Sequence, residues 1–419
     1  MKKGLQIFTL ELRRLARTGV VAMLGVAAVA WMFAMPYLVK SDGTTSGAME
    51  MYVHYSLGGV FALLMVALSA SGAGTLAVER EEKRLQLTLT RPVRYATVAL
   101  SRTAALTFVG AVVLGIASMT LWLKVDMGPC YHVHSPRMES PKSEAARLYD
   151  DVIKDPNTPA EVKKAPKDAV LKILEQKAWD NYLTIPRARS AAWLMGDVET
   201  EGKNLAVRLR FTNNFDTRET VKGVFKYGGY TGTISNITQA VIVTPLVKDA
   251  ENVLDGSSQG TLVFNNEGEN TLMLRPRRDI KLLVEGDSFG MNIIRAWLEM
   301  TAMLTLVIAF AVFLSSCLGR TVAIFTTMTM LAVMEMSPSV IEQYPDALET
   351  DRRDRISLML TRAVEKVTRP VASLNPLESL AAGDMLEAEE VTRAVLEDMI
   401  VLPLLLALLS GLGMSVKKV

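Results

Sequence analysis

Six long stretches almost free of charge constrain this chain more than anything else in it. Between Arg17 and Lys40 there is no Asp, Glu, Lys or Arg, and the core reads VVAMLGVAAVAWMFAMPYLV. Further blocks run from His54 to Val78, Thr103 to Leu123, Met300 to Gly319, Thr321 to Ile341 and Met399 to Val416. About 30 Å of hydrocarbon takes roughly 20 apolar residues in a helix, because every backbone polar group must be paired within the segment. Each block therefore predicts a membrane span. The fifth is interrupted by Glu335 and Pro338, and the sixth is short, with Pro403 near its start, where a helix tolerates proline. A cleaved leader is the alternative for the first block, since Ala28-Val29-Ala30 has the A-x-A pattern. The apolar run continues past that site and follows an amphipathic segment, which favours a retained anchor.

Hydrophobic residues make up 50% of the chain and charged residues 21%, so apolar blocks alternate with ordinary polar ones. A net charge of +2 on 419 residues gives no electrostatic footprint for nucleic acid. The cysteines, Cys130 and Cys317, lie in a polar and an apolar block and form no disulfide framework. The 23 methionines read as packing filler rather than ligands.

The short flanks set the orientation. Lys2, Lys3, Arg13, Arg14 and Arg17 precede the first span, and Arg80, Lys83, Arg84, Arg91, Arg94 and Arg102 lie around the second-to-third connection. Arg320 separates the fourth and fifth blocks, and Lys417 and Lys418 close the chain. Threading six spans in order puts all of these on one side, which predicts both termini in the cytoplasm. Trp31, Tyr37, Trp122 and Trp297 then fall near span ends on the other side, where amphipathic rings are favoured.

The expected organisation is five segments. Residues 1–123 hold an amphipathic helix and three spans, and 124–290 an extracytoplasmic domain. Residues 291–341 hold spans four and five, 342–398 extracytoplasmic helices, and 399–419 the last span with its tail. In the large insert, SEAARLYDDVIKD and AEVKKAPKDAVLKILEQKAWDNYL carry apolar residues at helical spacing. NLAVRLRFT then alternates Leu205, Val207, Leu209 and Phe211 with mostly polar residues. VKGVFKYG, AVIVTPLV, GTLVFNN, NTLMLRP and IKLLVEG follow between Gly, Asn and Asp turns. Short strands at this spacing predict an α+β, β-sandwich-like insert in an α-helical membrane protein. In 342–398, Leu348, Ile356, Leu360, Val364 and Val367 predict one helix, and a second runs from about Glu387 into the last span.

Four features resemble the permease subunits of type-2 ABC exporters. IFTLELRRLARTGV is similar to their interfacial elbow helix, with Ile7, Leu10, Leu12, Leu15 and Ala16 on one side and Arg13, Arg14 and Arg17 toward anionic headgroups. EREEKRLQLTLTRPVRYATVALSR resembles their acidic, leucine-rich and then basic loop after the second span, although Lys83-Arg84 stands where the family usually shows Gly-Thr. The topology is theirs, and NPLESLAAGD resembles the segment they often carry ahead of the last span. The resemblance covers the membrane half and leaves the insert unassigned. It implies a subunit of the bacterial inner membrane with no ATPase site of its own, dependent on a separate ABC ATPase that binds ATP. It implies a second permease chain too, as homo- or heterodimer, in contact with membrane lipids. The nearest phosphate-loop match, Gly196…Gly202-Lys203-Asn204, has the wrong spacing and Asn in place of Ser or Thr.

In that reading the loop from Glu79 to Arg102 receives the push from the ATPase, with Arg91, Pro92, Val93, Arg94 and Tyr95 as the coupling element. Thr90 caps and Pro92 opens its short helix. An ordinary solvated basic loop is the alternative. Cys130, His132 and His134 would share one side of a strand, a donor set that suits copper or zinc if a further ligand joins it. Glu335 is either an intramembrane functional group or an interfacial one, and Arg295 with Glu299, one turn apart, reads as an ion pair. Ser69, Ser71, Gly72 and Gly74 permit close helix approach, within the chain or in a dimer. The function classes left are an exporter permease and a non-transporting scaffold or sensor whose outer domain binds a ligand. No paired catalytic carboxylates, HExxH or nucleophile elbow supports an intramembrane enzyme.

Overall fold

A computed structural model describes residues 2–38, 45–82, 94–125, 128–137, 141–154, 167–179, 183–195, 198, 203–210, 221–237, 241–248, 260–268, 271–274, 276–343 and 376–416. They divide into two compact units, Met1–Cys130 with Asp287–Val419, and Tyr131–Gly286. The chain opens with helices α1 (Lys2–Arg17), α2 (Val20–Leu38), α3 (Thr45–Glu81) and α4 (Tyr95–Lys124). Strand β1 (Pro129–His134) leads into α5 (Pro141–Lys154) and α6 (Lys167–Trp179). Strands β2 (Leu183–Ile185), β3 (Ser190–Leu194), β4 (Leu205–Arg210), β5 (Val221–Tyr227) and β6 (Tyr230–Ile237) come next. They continue as β7 (Val241–Lys248), β8 (Thr261–Asn266), β9 (Leu272–Leu274), the short α7 (Pro276–Asp279) and β10 (Ile280–Ser288). Helices α8 (Phe289–Cys317), α9 (Arg320–Gln343), α10 (Pro376–Ala382) and α11 (Ala388–Ala394) follow, and a π-helical turn (Val395–Val401) joins α11 to α12 (Leu402–Val416).

Among the described residues, five helices are long and apolar enough to cross a membrane: Val20–Leu38, Gly47–Glu81, Tyr95–Lys124, Phe289–Cys317 and Ala388–Leu412. The described apolar part of α9, Arg320–Val333, is shorter. The helices outrun the uncharged blocks because intrahelical pairing continues where side chains turn polar. The last candidate helix begins at Ala388, in keeping with the helix expected from about Glu387 into the last apolar block, and its buried stripe of Val391, Ala394, Asp398, Ala407 and Ser410 includes a carboxylate. Gly19, at φ 74°, supplies the left-handed corner between α1 and α2 that an L side chain resists. Helix α8 is the axis of this unit, with Ile293, Ala296, Met300, Leu304, Ile308 and Val312 buried against α3 and α4. Between helices in hydrocarbon, close packing replaces the hydrophobic drive, so small residues set the approach. A methyl on Gly72 would meet Ala311, Val312 and the Ile308 carbonyl of α8 at 3.4–3.5 Å. One on Gly110 of α4 would collide with Leu304 and Leu68.

The second unit is built on strands. Its main sheet has eight, in the order β1-β10-β4-β7-β6-β5-β8-β3, and β2 pairs with β9 separately. The registered neighbours from β10 to β3 are all antiparallel. Alternation buries Leu205, Val207 and Leu209 on β4, Phe225 and Tyr227 on β5, Leu262 and Phe264 on β8, and Ile280, Leu282 and Val284 on β10 in one core. Gly228, at φ 53°, opens the two-residue loop of the β5–β6 hairpin. Asn266 closes the β2 side: its amide donates to the carbonyls of Ile185 at 3.1 Å and Pro186 at 3.3 Å and accepts from the Gly268 amide at 3.0 Å. Helices α5 and α6 pack on each other through Ala145, Val170 and Leu174.

Six strands and both helices lie where periodicity put them, but the sandwich-like reading gives way to an eight-stranded half-barrel sheet with the separate β2–β9 pair. Alternation reveals that one face is buried, not whether a second sheet covers it. The expected helix over Leu348–Val367 lies outside the described residues.

Candidate functional site

Helix α3 ends in three consecutive charged residues, each holding a different neighbour. Glu79 accepts from Arg102 of α4 at 2.5 Å and lies 3.7 Å from Arg14 of α1, which is 3.6 Å from Glu11. The Arg102 side chain is only 5% exposed, so its charge depends on this carboxylate. Arg80 donates to the carbonyls of Ser316 at 2.9 Å and Leu318 at 2.6 Å, at the end of α8. Glu81 accepts from the Arg320 backbone amide at 3.3 Å, at the start of α9. A cation at a helix C-terminus and an anion at an N-terminus satisfy orphan backbone groups and oppose the helix dipoles.

Arg94 is exposed and extended, as N-cap of α4, and Tyr95 is half-buried, near Gly411 of α12. Arg91, Pro92 and Val93 lie outside the described residues. Sequence reasoning treats Arg14, Arg80 and Arg102 as topogenic charge and misses Glu11 and Glu79 as partners of Arg14 and Arg102, and the helix-end contacts of Arg80 and Glu81. The available signal was a charge of each sign placed at the edges of apolar blocks.

At the other end of α8, Asn292 donates to the Asp384 carbonyl at 2.9 Å and accepts from the Leu386 amide at 2.9 Å. Arg295 donates to the Leu386 carbonyl at 3.1 Å and to Asp287 at 2.6 Å. The expected Arg295–Glu299 pair is therefore absent: a nearer carboxylate and a free carbonyl take the guanidinium, and Glu299 points inward, 1% exposed. These bonds pin the chain after α10, whose Leu380 and Ala381 are buried in the same core. Trp297 donates to the Ala111 carbonyl of α4 at 2.9 Å, a bond from helix to helix.

Cys130 is buried in this unit, and burial pushes its thiol up to about 11, with the Asn292 side chain pulling the other way. His132 and His134 follow on β1, half-buried. Among the described residues there is no group of three or more His, Cys, Asp or Glu placed to hold a metal.

The third feature is the seam of α8 with α9 and the last span. A groove of about 200 Å³ opens there, floored by Val307 and Phe310 and walled by Met330 and Leu331 of α9 and by Leu402 and Leu406 of α12. Its lining hydroxyl, Thr327, donates to the Ala323 carbonyl at 2.7 Å, so the groove offers no free donor.

No family model, curated protein or solved structure matches the chain.

Proposed function

We propose that this chain is the membrane subunit of an ABC-type exporter, with six spans and both termini cytoplasmic, driven by ATP hydrolysis in a separate subunit. The observation that carries the reading is the junction at Glu79-Arg80-Glu81. An amphipathic helix, the facing ends of α3 and α4, and the α8–α9 turn are joined there by charge-assisted bonds. In sequence, residues 83–93 connect the end of α3 beside this junction to Arg94, the N-cap of α4. A displacement of that connection by a partner would therefore reach α1, α4, α8 and α9 together. Helix α9, at 24 residues and about 1.5 Å per residue, is the remaining span in this reading, the fifth in chain order. Membrane lipids and a second copy or a related permease complete the assembly in this reading.

The second unit, with a core of its own, favours the alternative of a scaffold or sensor. ATP turnover separates the two. The exporter reading requires a nucleotide-hydrolysing subunit bound to the full-length chain, and its absence from complexes extracted intact would leave the sensor.

A further inference from the structure

We infer that the seam between α8 and the last span is a binding site for a cationic amphiphile, its hydrocarbon tail in the groove and its cationic head at Glu299 and Asp398. Glu299, Met303, Leu306 and Phe310 recur at i, i+4, i+7 and i+11, one stripe of α8. Leu306 and Phe310 line the groove, and Glu299 lies on the same stripe about two turns before Leu306. On the last span Asp398, Leu402 and Leu406 make the matching stripe, again with the two leucines in the wall.

Both carboxylates are fully enclosed, Glu299 at 1% and Asp398 at 2% exposure. Each keeps a buried oxygen, Oε2 and Oδ1, without a hydrogen-bond partner. Glu390 of α11 adds a third acid within electrostatic reach of Glu299. Arg393, the cation in reach of Asp398, pairs with Glu397 at 3.1 Å on the exposed side. An unpaired carboxylate inside a span is costly and marks a functional position. Asp398 also sits in the π-helical turn, a local widening of the helix that recurs at functional sites. Enclosed acids and a donor-free apolar groove on the same stripes of two packed helices match one ligand chemistry, a cation on an alkyl chain. A bare ion would leave the groove empty, and a neutral lipid would leave the carboxylates unpaired.

As a cargo site this rests on the exporter reading; as a binding site it does not, and binding is what the test measures. Full-length protein in phosphatidylcholine nanodiscs is titrated with tritiated decyltrimethylammonium, with empty discs subtracted. Decanol, decyl sulfate and tetramethylammonium serve as competitors. The expected result is saturable binding that neither decanol nor tetramethylammonium displaces at equal concentration. Glu299→Gln with Asp398→Asn should weaken it about tenfold or more, and Leu402→Trp, which fills the groove, should weaken it too. The competition series on the wild-type chain decides the matter even if a variant folds poorly. Displacement by decanol would mean a lipid groove, and displacement by tetramethylammonium an ion site. Either result, or full affinity in the double variant, overturns the proposal.

Discussion

Arg80 and Glu81, adjacent in sequence, cap opposite sides of one turn: the arginine holds the last carbonyls of α8 and the glutamate the first amide of α9. The pair works because the two helix ends carry opposite partial charges. Arg80→Ala and Glu81→Ala should each cost about 0.5–2 kcal/mol. The check is thermal unfolding of the full-length chain in mild detergent. Retained stability in both variants would make the caps incidental.

Glu79 and Arg102 should behave differently, because here a charge is buried. Glu79→Gln leaves Arg102 enclosed without its carboxylate and should cost about 3 kcal/mol. Glu79→Gln with Arg102→Met removes both charges and should recover much of that loss. The diagnostic quantity is the coupling energy from the double-mutant cycle. A coupling near zero would show that the pair contributes little.

Gly110 of α4 carries a packing prediction. Gly110→Ala places a methyl against Leu304 and Leu68 and should cost about 1–3 kcal/mol. Gly74→Ala, with nothing within 4 Å, should be neutral or slightly stabilising. The comparison is the difference in melting temperature between the two variants in one detergent.

Cys130 gives a pH prediction. Its thiol is raised from 9.0 to about 11, so near pH 8 the thiolate population is about a hundredfold below that of an ordinary cysteine. Maleimide should label it slowly in the folded chain and at the ordinary rate after denaturation. The folded state holds this proton more tightly than the unfolded state. Its contribution to stability is thus complete below pH 9 and declines as pH rises toward 11. Fast labelling at pH 8 without unfolding would place the thiol at the surface.

Most of the architecture was legible because it obeys simple periods. Uninterrupted apolar length gave the positions of the five long apolar helices, and alternation in NLAVRLRFT and GTLVFNN gave β4 and β8. Strand β6, YTGTISNI, was illegible because its inward positions include Gly232, which leaves little apolar signal. The uncharged blocks stop short of the helices, because charged residues such as Arg102 and Asp398 interrupt the apolar runs without ending the helices. In the fold they turn inward, toward partners distant in sequence or into the seam. Glu79 with Arg102 and Asn292 with Leu386 illustrate the limit: each pairing is set by tertiary packing, and local spacing carries no trace of it.

The proposed action of an ATP-hydrolysing partner through residues 83–94 is open to direct test. The direct measurement is ATP hydrolysis by the full-length protein, tagged and extracted from its native membrane in mild detergent, beside Arg91→Glu with Arg94→Glu. Correct insertion of the variant is established first by reporter fusions at the C-terminus and within 131–286, because these arginines also bear on topology. The expected result is a stoichiometric ATPase with the wild-type chain, lost from a variant present at normal abundance. No ATPase in the intact wild-type complex, or equal hydrolysis in the correctly inserted variant, would contradict the account.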